Sequence, residues 1–137
     1  MTLVLDASMT MTWLFEDEHT AAAHAVKRRV AEEGALVPTL WRLEIANVLR
    51  NAVRRKRCDE DYANRSIARL ARLAIKSDDE TDDHAWGATR TLAREEDLTL
   101  YDAAYLELAI RKRAILASCD NDLLAAATRR GIETITV

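Results

Sequence analysis

The chain has 137 residues, of which 49% are hydrophobic and 31% are charged, a composition typical of a folded domain and unlike that of disordered chains. Twenty Lys and Arg residues face 23 Asp and Glu residues, so the net charge of −3 argues against a globally basic nucleic-acid binder. Two cysteines are too few and too far apart for a CxxC motif, and we expect free thiols. We predict a single domain over residues 1–137.

The sequence shows no pattern typical of a signal peptide or a membrane span, and its basic residues occur in clusters. The opening residues MTLVLDAS reach an acid after a short apolar run, and no segment approaches 18 continuous apolar residues, so we expect a cytoplasmic protein without a membrane partner. Basic residues cluster at 27–29, 54–57, 111–113 and 129–130. Each cluster is compatible with a solvated helix face or with a phosphate-binding track, and the sequence leaves both open.

The N-terminal half alternates between apolar runs and helical spacings. These patterns predict a strand at 3–5, a short helix at 9–15, a helix at 20–33, a strand at 35–37 and a helix at 40–57. Gly34 ends the second of these helices and Pro38 ends the second strand. With only one Pro and three Gly in the chain, we expect short connections.

The C-terminal half continues the alternation. It predicts a helix at 60–73, a minimal strand at 74–76, helices at 82–96 and 102–113, a strand at 114–119, a helix at 123–130 and a strand at 132–137. Strands that alternate with helices imply an α/β fold in which helices cover both faces of a parallel sheet. Such sheets bind ligands at the carboxyl ends of their strands.

Two acids follow predicted strands. Asp6 ends the first strand, and Asp120 ends the strand at 114–119. If these strands are parallel neighbours, both side chains reach the same edge of the sheet. Each residue could instead be a helix N-cap, a position that favours Asp.

Two further acids lie on helical stripes. Glu44 shares the inward stripe that also carries Trp41 and Ile45. A buried carboxylate needs a cation, which could be an Arg from a neighbouring helix or a metal ion. Asp102 occupies the first turn of its helix, where it either complements the helix dipole or faces the same pocket as the other acids.

Several carboxylates in one pocket would destabilise the fold unless a cation joined them. Two unit charges about 4 Å apart repel by about 4 kcal/mol at an effective dielectric of about 20. A divalent cation reverses that balance, and oxygen ligands without His or Cys suit Mg²⁺ or Mn²⁺ rather than zinc. We therefore predict that the metal-binding and catalytic residues are Asp6, Glu44, Asp102 and Asp120.

The acids and their flanks form four segments: VLDAS at 4–8, the LWRLEIANVLRNAVRR helix with Glu44, LTLYDAAYLELA with Asp102, and LASCDNDLLAAA with Asp120. In this order and spacing they resemble the PIN-domain family and, within it, the VapC-type toxins of bacterial toxin–antitoxin pairs. The resemblance covers essentially the whole chain. Asp6, Glu44 and Asp102 match the three most regular acids of the family, and Asp120 matches the fourth.

The resemblance implies a PIN-like three-layer α/β/α sandwich with a short central parallel sheet. It also implies a Mg²⁺- or Mn²⁺-dependent endoribonuclease that hydrolyses RNA phosphodiesters with a metal-activated water. The implied partners are an RNA substrate, a second copy of the chain in a homodimer, and a cognate antitoxin that blocks the acidic groove in a heterotetramer or larger assembly.

Two polar residues near the acids have open roles. Ser8 matches a polar family position beside the first acid, but it could equally be a helix N-cap. Asp122 could be a further acid of the site or a cap of the 123–130 helix.

Two other functions are compatible with clustered acids. A phosphatase with an Asp nucleophile would carry a second acid two residues after Asp6, where this chain has Ser8. A non-catalytic receiver or protein-interaction domain is the second alternative. A receiver needs paired acids near the first strand and a phosphoacceptor Asp on a middle strand, and the sequence has neither.

Apolar residues crowd into the short helix after the first acid: Met9, Met11, Trp13, Leu14 and Phe15. A helix this short cannot turn all of them inward. We therefore expect an exposed apolar patch beside the acidic site, where an antitoxin helix would dock.

Overall fold

Five short strands form the centre of the molecule: β1 (Leu3–Leu5), β2 (Ala35–Val37), β3 (Ile75–Ser77), β4 (Ile115–Ala117) and β5 (Thr134–Ile135). They make one parallel sheet in the order β3-β2-β1-β4-β5. The computed structural model describes residues 1–137 apart from the side chain of Glu16. Within that part of the chain, no helix has the length and apolar character needed to span a membrane.

Helices flank this sheet. They are α1 (Ala7–Leu14), α2 (Ala21–Glu33), α3 (Trp41–Arg54), α4 (Glu60–Ala71), α5 (Thr81–His84), α6 (Arg90–Glu96), α7 (Leu100–Lys112) and α8 (Asn121–Arg129). A 3₁₀ turn covers Glu16–Glu18, and a π-helical turn covers Ala85–Thr89. The predicted α/β class with a central parallel sheet is confirmed.

The core lies around the two central strands. All residues of β1 and β4 are buried, as expected for parallel strands that helices cover on both faces. The α7 residues from Ala103 to Ala109 are also buried, and α7 packs against β1 and β4. Its alanines allow a close approach to the sheet, so the first turn of α7 is held beside the carboxyl end of β1.

The predicted single helix at 82–96 is wrong. The segment consists of α5, the π-helical turn and α6, with non-helical backbone angles at Gly87 (φ −108°, ψ −105°). Glycine adopts such angles because it lacks a Cβ. The break leaves Trp86 on the surface, 92% exposed.

The apolar patch expected around α1 is also wrong. Met9, Trp13, Leu14 and Phe15 are all buried, and Met11 is half-buried. The Trp13 Nε1–H donates to the Ala23 carbonyl of α2 at 3.1 Å, because α1 lies between α2 and α3 rather than on one open face. A helix that neighbours cover on several sides can bury most of its circumference.

Candidate active site

Asp6 stands where β1 ends and α1 begins. Its backbone N–H donates to the carbonyl of Ala117 at 3.0 Å, which continues the pairing of β1 with β4. The side chain is buried, 4% exposed, and its Oδ2 accepts hydrogen bonds from Ser8 Oγ at 2.6 Å and Ser118 Oγ at 2.7 Å. Two donors on one oxygen fix the orientation of the carboxylate, and neither of these bonds uses Oδ1.

Asp120 follows the neighbouring strand, β4, and caps α8. Its Oδ1 accepts from the Leu123 N–H at 3.1 Å, while its own N–H donates to Ser118 Oγ at 3.0 Å. Ser118 therefore bridges two acids, as donor to Asp6 and as acceptor from Asp120. Asp120 is therefore both the N-cap of α8 and a residue of the sheet edge, two roles that the sequence presents as alternatives.

Asp102 reaches the same edge from the first turn of α7. Thr99 is the N-cap of this helix, and its Oγ1 accepts from the Asp102 N–H at 3.1 Å. Since Thr99 supplies the cap, the carboxylate of Asp102 is not needed for that role.

Glu44 comes from the first turn of α3 and is tied to α7. The phenol of Tyr105 donates to Glu44 Oε1 at 2.5 Å. Tyr105 has no solvent exposure, so its hydroxyl is held at this position by the packing of α7. The contact joins residues 61 positions apart and orients Glu44 towards the other acids.

The structure brings the four predicted acids into one open cleft of about 260 Å³. Its lining residues are Asp6, Ala7, Ser8, Met11, Glu44, Asn47, Val48, Asp102 and Asp120. Their placement at the carboxyl edge of a parallel sheet agrees with the sequence-based expectation. That these acids bind metal and catalyse a reaction stays a prediction.

Burial and mutual repulsion disfavour the ionised forms of these acids. Burial, together with repulsion from the carboxylates of Asp120 and Asp6, raises the pKa of Asp102 to about 6. Burial also raises the pKa of Glu44, although the Tyr105 hydrogen bond opposes the change. Burial raises the pKa of Asp6 as well, against the effect of its two serine donors. The cleft is therefore a place where a cation would be stabilising.

The donor set fits a hard divalent cation. Four carboxylates line the cleft, and its described lining side chains include no Lys, Arg or His that could neutralise them. Oxygen ligands of this kind suit Mg²⁺ or Mn²⁺. The alternative for Glu44, an ion pair with a neighbouring Arg, does not occur among the side chains that the structure describes.

A second acidic group lies after β3. Among the described residues, only Asp78, Asp79 and Glu80 bring three potential ligand atoms within 4.8 Å of one another. Arg111 donates to both carboxylate oxygens of Asp78, at 3.0 and 2.6 Å, and also pairs with Glu107. Burial opposes ionisation of Asp78, but the hydrogen bonds from Arg111 lower its pKa below the usual value. Arg111 thus already neutralises Asp78, the buried member of this group.

Sequence reasoning missed Ser118 and the hydroxyl of Tyr105. Ser118 directly follows β4, but the strand predicted at 114–119 extends past it, so the strand-end argument selected Asp120 instead. Tyr105 lies three residues after Asp102, on the same helical stripe, but nothing local predicts its bond to Glu44.

The structure also locates three further polar residues near the acids, Ser8, Asn47 and Asp122. Ser8 is not an N-cap: it lies inside α1, donates to Asp6 and accepts from the Cys119 N–H at 2.9 Å. Asn47 lines the cleft. Asp122 is exposed in the first turn of α8 and lies outside the cleft lining.

The family model described as the PIN domain matches residues 3–129. A solved structure of PAE2754 from Pyrobaculum aerophilum is 26% identical over 97% of this chain and 90% of that chain, with a TM-score of 0.71. A comparison with curated protein sequences gave no match.

Two more distant solved structures share the fold. VapBC2 from Rickettsia felis, bound to a DNA fragment from its promoter, is 12% identical, with a TM-score of 0.66 over 100% of this chain and 99% of that chain. The sarcin-ricin loop cleaving toxin VapC20 from Mycobacterium tuberculosis is 16% identical, with a TM-score of 0.59 over 91% of this chain and 95% of that chain.

Proposed function

The chain belongs to the PIN-domain family, and we propose on that premise that it is a metal-dependent endoribonuclease, the toxin of a toxin–antitoxin pair. One observation carries the proposal. Carboxylates from four separate elements line a single cleft that contains no cationic side chain among its described lining residues. Such an arrangement is costly for a fold unless it holds a cation that serves a reaction.

Asp6, Asp102, Glu44 and Asp120 would hold Mg²⁺ or Mn²⁺. When bound, such a cation lowers the pKa of water and offsets negative charge on a phosphoryl group. Ser8 and Ser118 fix the orientation of the Asp6 carboxylate. The oxygen of Glu44 that Tyr105 does not bind could orient water or accept its proton, as could Asp120.

The expected products carry a 5′-phosphate and a free 3′-hydroxyl. Attack by the RNA 2′-hydroxyl would require acid–base groups such as a His pair, and no His lies among the described residues of the cleft. Single-stranded or loop RNA is the proposed substrate, because the major groove of duplex RNA is deep and narrow. The cleavage of an RNA loop by VapC20 supports this substrate class.

The change Asp6→Asn tests the proposal. It should abolish Mg²⁺- or Mn²⁺-dependent cleavage of labelled RNA while leaving the circular dichroism spectrum unchanged, because the serine donors can still bind the amide oxygen. Asp83→Asn, which removes an exposed acid elsewhere, is the matched control. Full activity in Asp6→Asn, or equal activity of the wild type in EDTA, would contradict the assignment.

Protein partners belong to the same proposal. VapBC2 is a toxin–antitoxin complex, and an antitoxin could place a cation among the four acids and compete with the metal. We also propose a homodimer, for which Trp86 and Tyr101, 92% and 66% exposed beside Leu100, offer an apolar contact surface. Copurification with the product of a neighbouring gene tests the antitoxin, and light scattering tests the dimer.

A further inference from the structure

Polar side chains on α3 continue from the cleft towards the C-terminal end of the helix. Glu44 and Asn47 line the cleft. Since each residue turns an α-helix by about 100°, Asn51 and Arg55 lie within about 20° of the direction of Glu44. By the same rule, Arg54 lies within about 20° of the direction of Asn47. These five residues are called the α3 stripe.

The basic end of this stripe is not neutralised by the kind of ion pair that holds several other arginines. Arg57 pairs with Asp17 and Glu18, and Arg129 and Arg130 pair with glutamates of α6. By contrast, no carboxylate among the described side chains lies within 4.0 Å of Arg54 or Arg55, and both are exposed. The helix dipole favours cations at this end of α3, and their charge remains available to an external anion.

An acidic cleft has to attract a polyanion. The scissile phosphate would sit among carboxylates, and the chain as a whole carries a net charge of −3. Affinity for the RNA backbone must therefore come from cations at a distance from the acids, since phosphate contacts dominate such binding. Glu44 and Arg55 are about 16 Å apart along the helix axis, at 1.5 Å per residue. Asn side chains in between can also contact phosphate and sugar groups.

We propose that the α3 stripe is the path along which single-stranded RNA leaves the cleft, with Arg54 and Arg55 binding phosphates a few nucleotides from the scissile bond. This inference rests on the proposed ribonuclease function and adds the location of its substrate. Val48 adds one apolar side chain beside the stripe, but the two amides and two arginines beyond Glu44 fit an RNA backbone better than an apolar protein segment.

The test measures how salt weakens binding of a fluorescent, mixed-sequence single-stranded RNA in Mg²⁺. All variants carry Asp6→Asn, so that the RNA stays intact. Each lost phosphate contact should reduce the slope of log Kd against log salt by about 0.7. Combined loss of Arg54 and Arg55 by Ala substitution should reduce it by about 1.4, so a tenfold salt increase weakens the parent about 25-fold more than the variant.

Arg28→Ala is the matched control. Arg28 is an exposed cation of α2, a helix that contributes no residue to the described lining of the cleft. Arg28→Ala should leave the slope unchanged, whereas Arg55→Ala alone lowers it by about 0.7. The conservative changes Arg54→Lys and Arg55→Lys should keep the parental slope.

The proposed path is wrong if the double variant keeps the parental slope, or if Arg28→Ala changes the slope as much as Arg55→Ala does. It is also wrong if the double variant loses only its binding to a copurifying protein. A wild-type protein that leaves total cellular RNA uncut in Mg²⁺ and Mn²⁺ would instead contradict the proposed function, because the binding slopes are measured without cleavage.

Discussion

Raising the pH from 5 to 8 in EDTA should destabilise this protein through Asp102. Burial is the largest cause and repulsion from the carboxylates of Asp120 and Asp6 the next, and together they raise the pKa of this carboxyl from 3.8 to about 6. Between these two pKa values, the folded chain binds more protons at Asp102 than the unfolded chain. The free energy of unfolding therefore falls as the pH rises, and the fall levels off above about pH 6 to 7.

The size of the effect follows from the two pKa values of Asp102. A change from 3.8 to about 6 corresponds to about 3 kcal/mol. About half of this free energy is lost between pH 5 and pH 8, because in that range the folded carboxyl loses its proton while the unfolded carboxyl is already mostly ionised. Asp102 is partly exposed, so water screens the repulsion, and we expect about 1 kcal/mol, or a fall in Tm of about 3–4 °C.

Urea unfolding followed by circular dichroism from pH 5 to pH 8 checks this expectation. The Asp102→Asn variant lacks the ionisable group, so the difference in unfolding free energy between wild type and variant isolates Asp102 from the other acids. The exposed-site control Asp83→Asn should follow the wild type. Mg²⁺ or Mn²⁺ at pH 8 should restore stability by binding the folded state. A wild type that gains stability with rising pH relative to Asp102→Asn would refute the reasoning.

Three further changes address single contacts. Tyr105→Phe removes the donor to Glu44 and should lower metal affinity or activity by about 10- to 100-fold, with calorimetric metal titration as the measurement. Rescue by metal at high concentration is expected, and unaltered affinity would contradict a positioning role. Ser118→Ala removes a donor to the buried, ionised Asp6 carboxylate and should lower the metal-free free energy of unfolding by about 1.5–3 kcal/mol in urea. An unchanged urea midpoint would contradict this role of Ser118. Trp86→Ser should convert the proposed homodimer to monomer in light scattering without altering RNA cleavage per chain, and an unchanged mass would place the dimer contact elsewhere.

Local patterns in the sequence were enough for most of the fold. Short apolar runs predicted β1, β2 and β4, because buried parallel strands need continuous apolar residues, although the strand predicted at 114–119 is longer than β4. The spacing of apolar residues predicted α3 and α8. The single helix predicted at 82–96 failed at Gly87, where a glycine tolerated within a helical pattern allows the backbone to break.

Strand ends that are visible in the sequence were enough to bring two of the four carboxylates to the sheet edge. Asp6 ends β1 and Asp120 follows β4, and this depends only on where a strand stops. The parallel pairing of β1 with β4 then makes the two acids neighbours, which the alternation of strands and helices implies but does not prove.

Only the tertiary structure decided how the acids are held and which apolar residues stay outside. The contacts of Ser118 with Asp6 and of Tyr105 with Glu44 join positions 112 and 61 residues apart. Whether Trp13 or Trp86 is exposed depends on which helices pack around each of them, and both have apolar neighbours in sequence. Local patterns reflect the period of the backbone, whereas side-chain partners depend on the relative placement of elements that are distant in the chain.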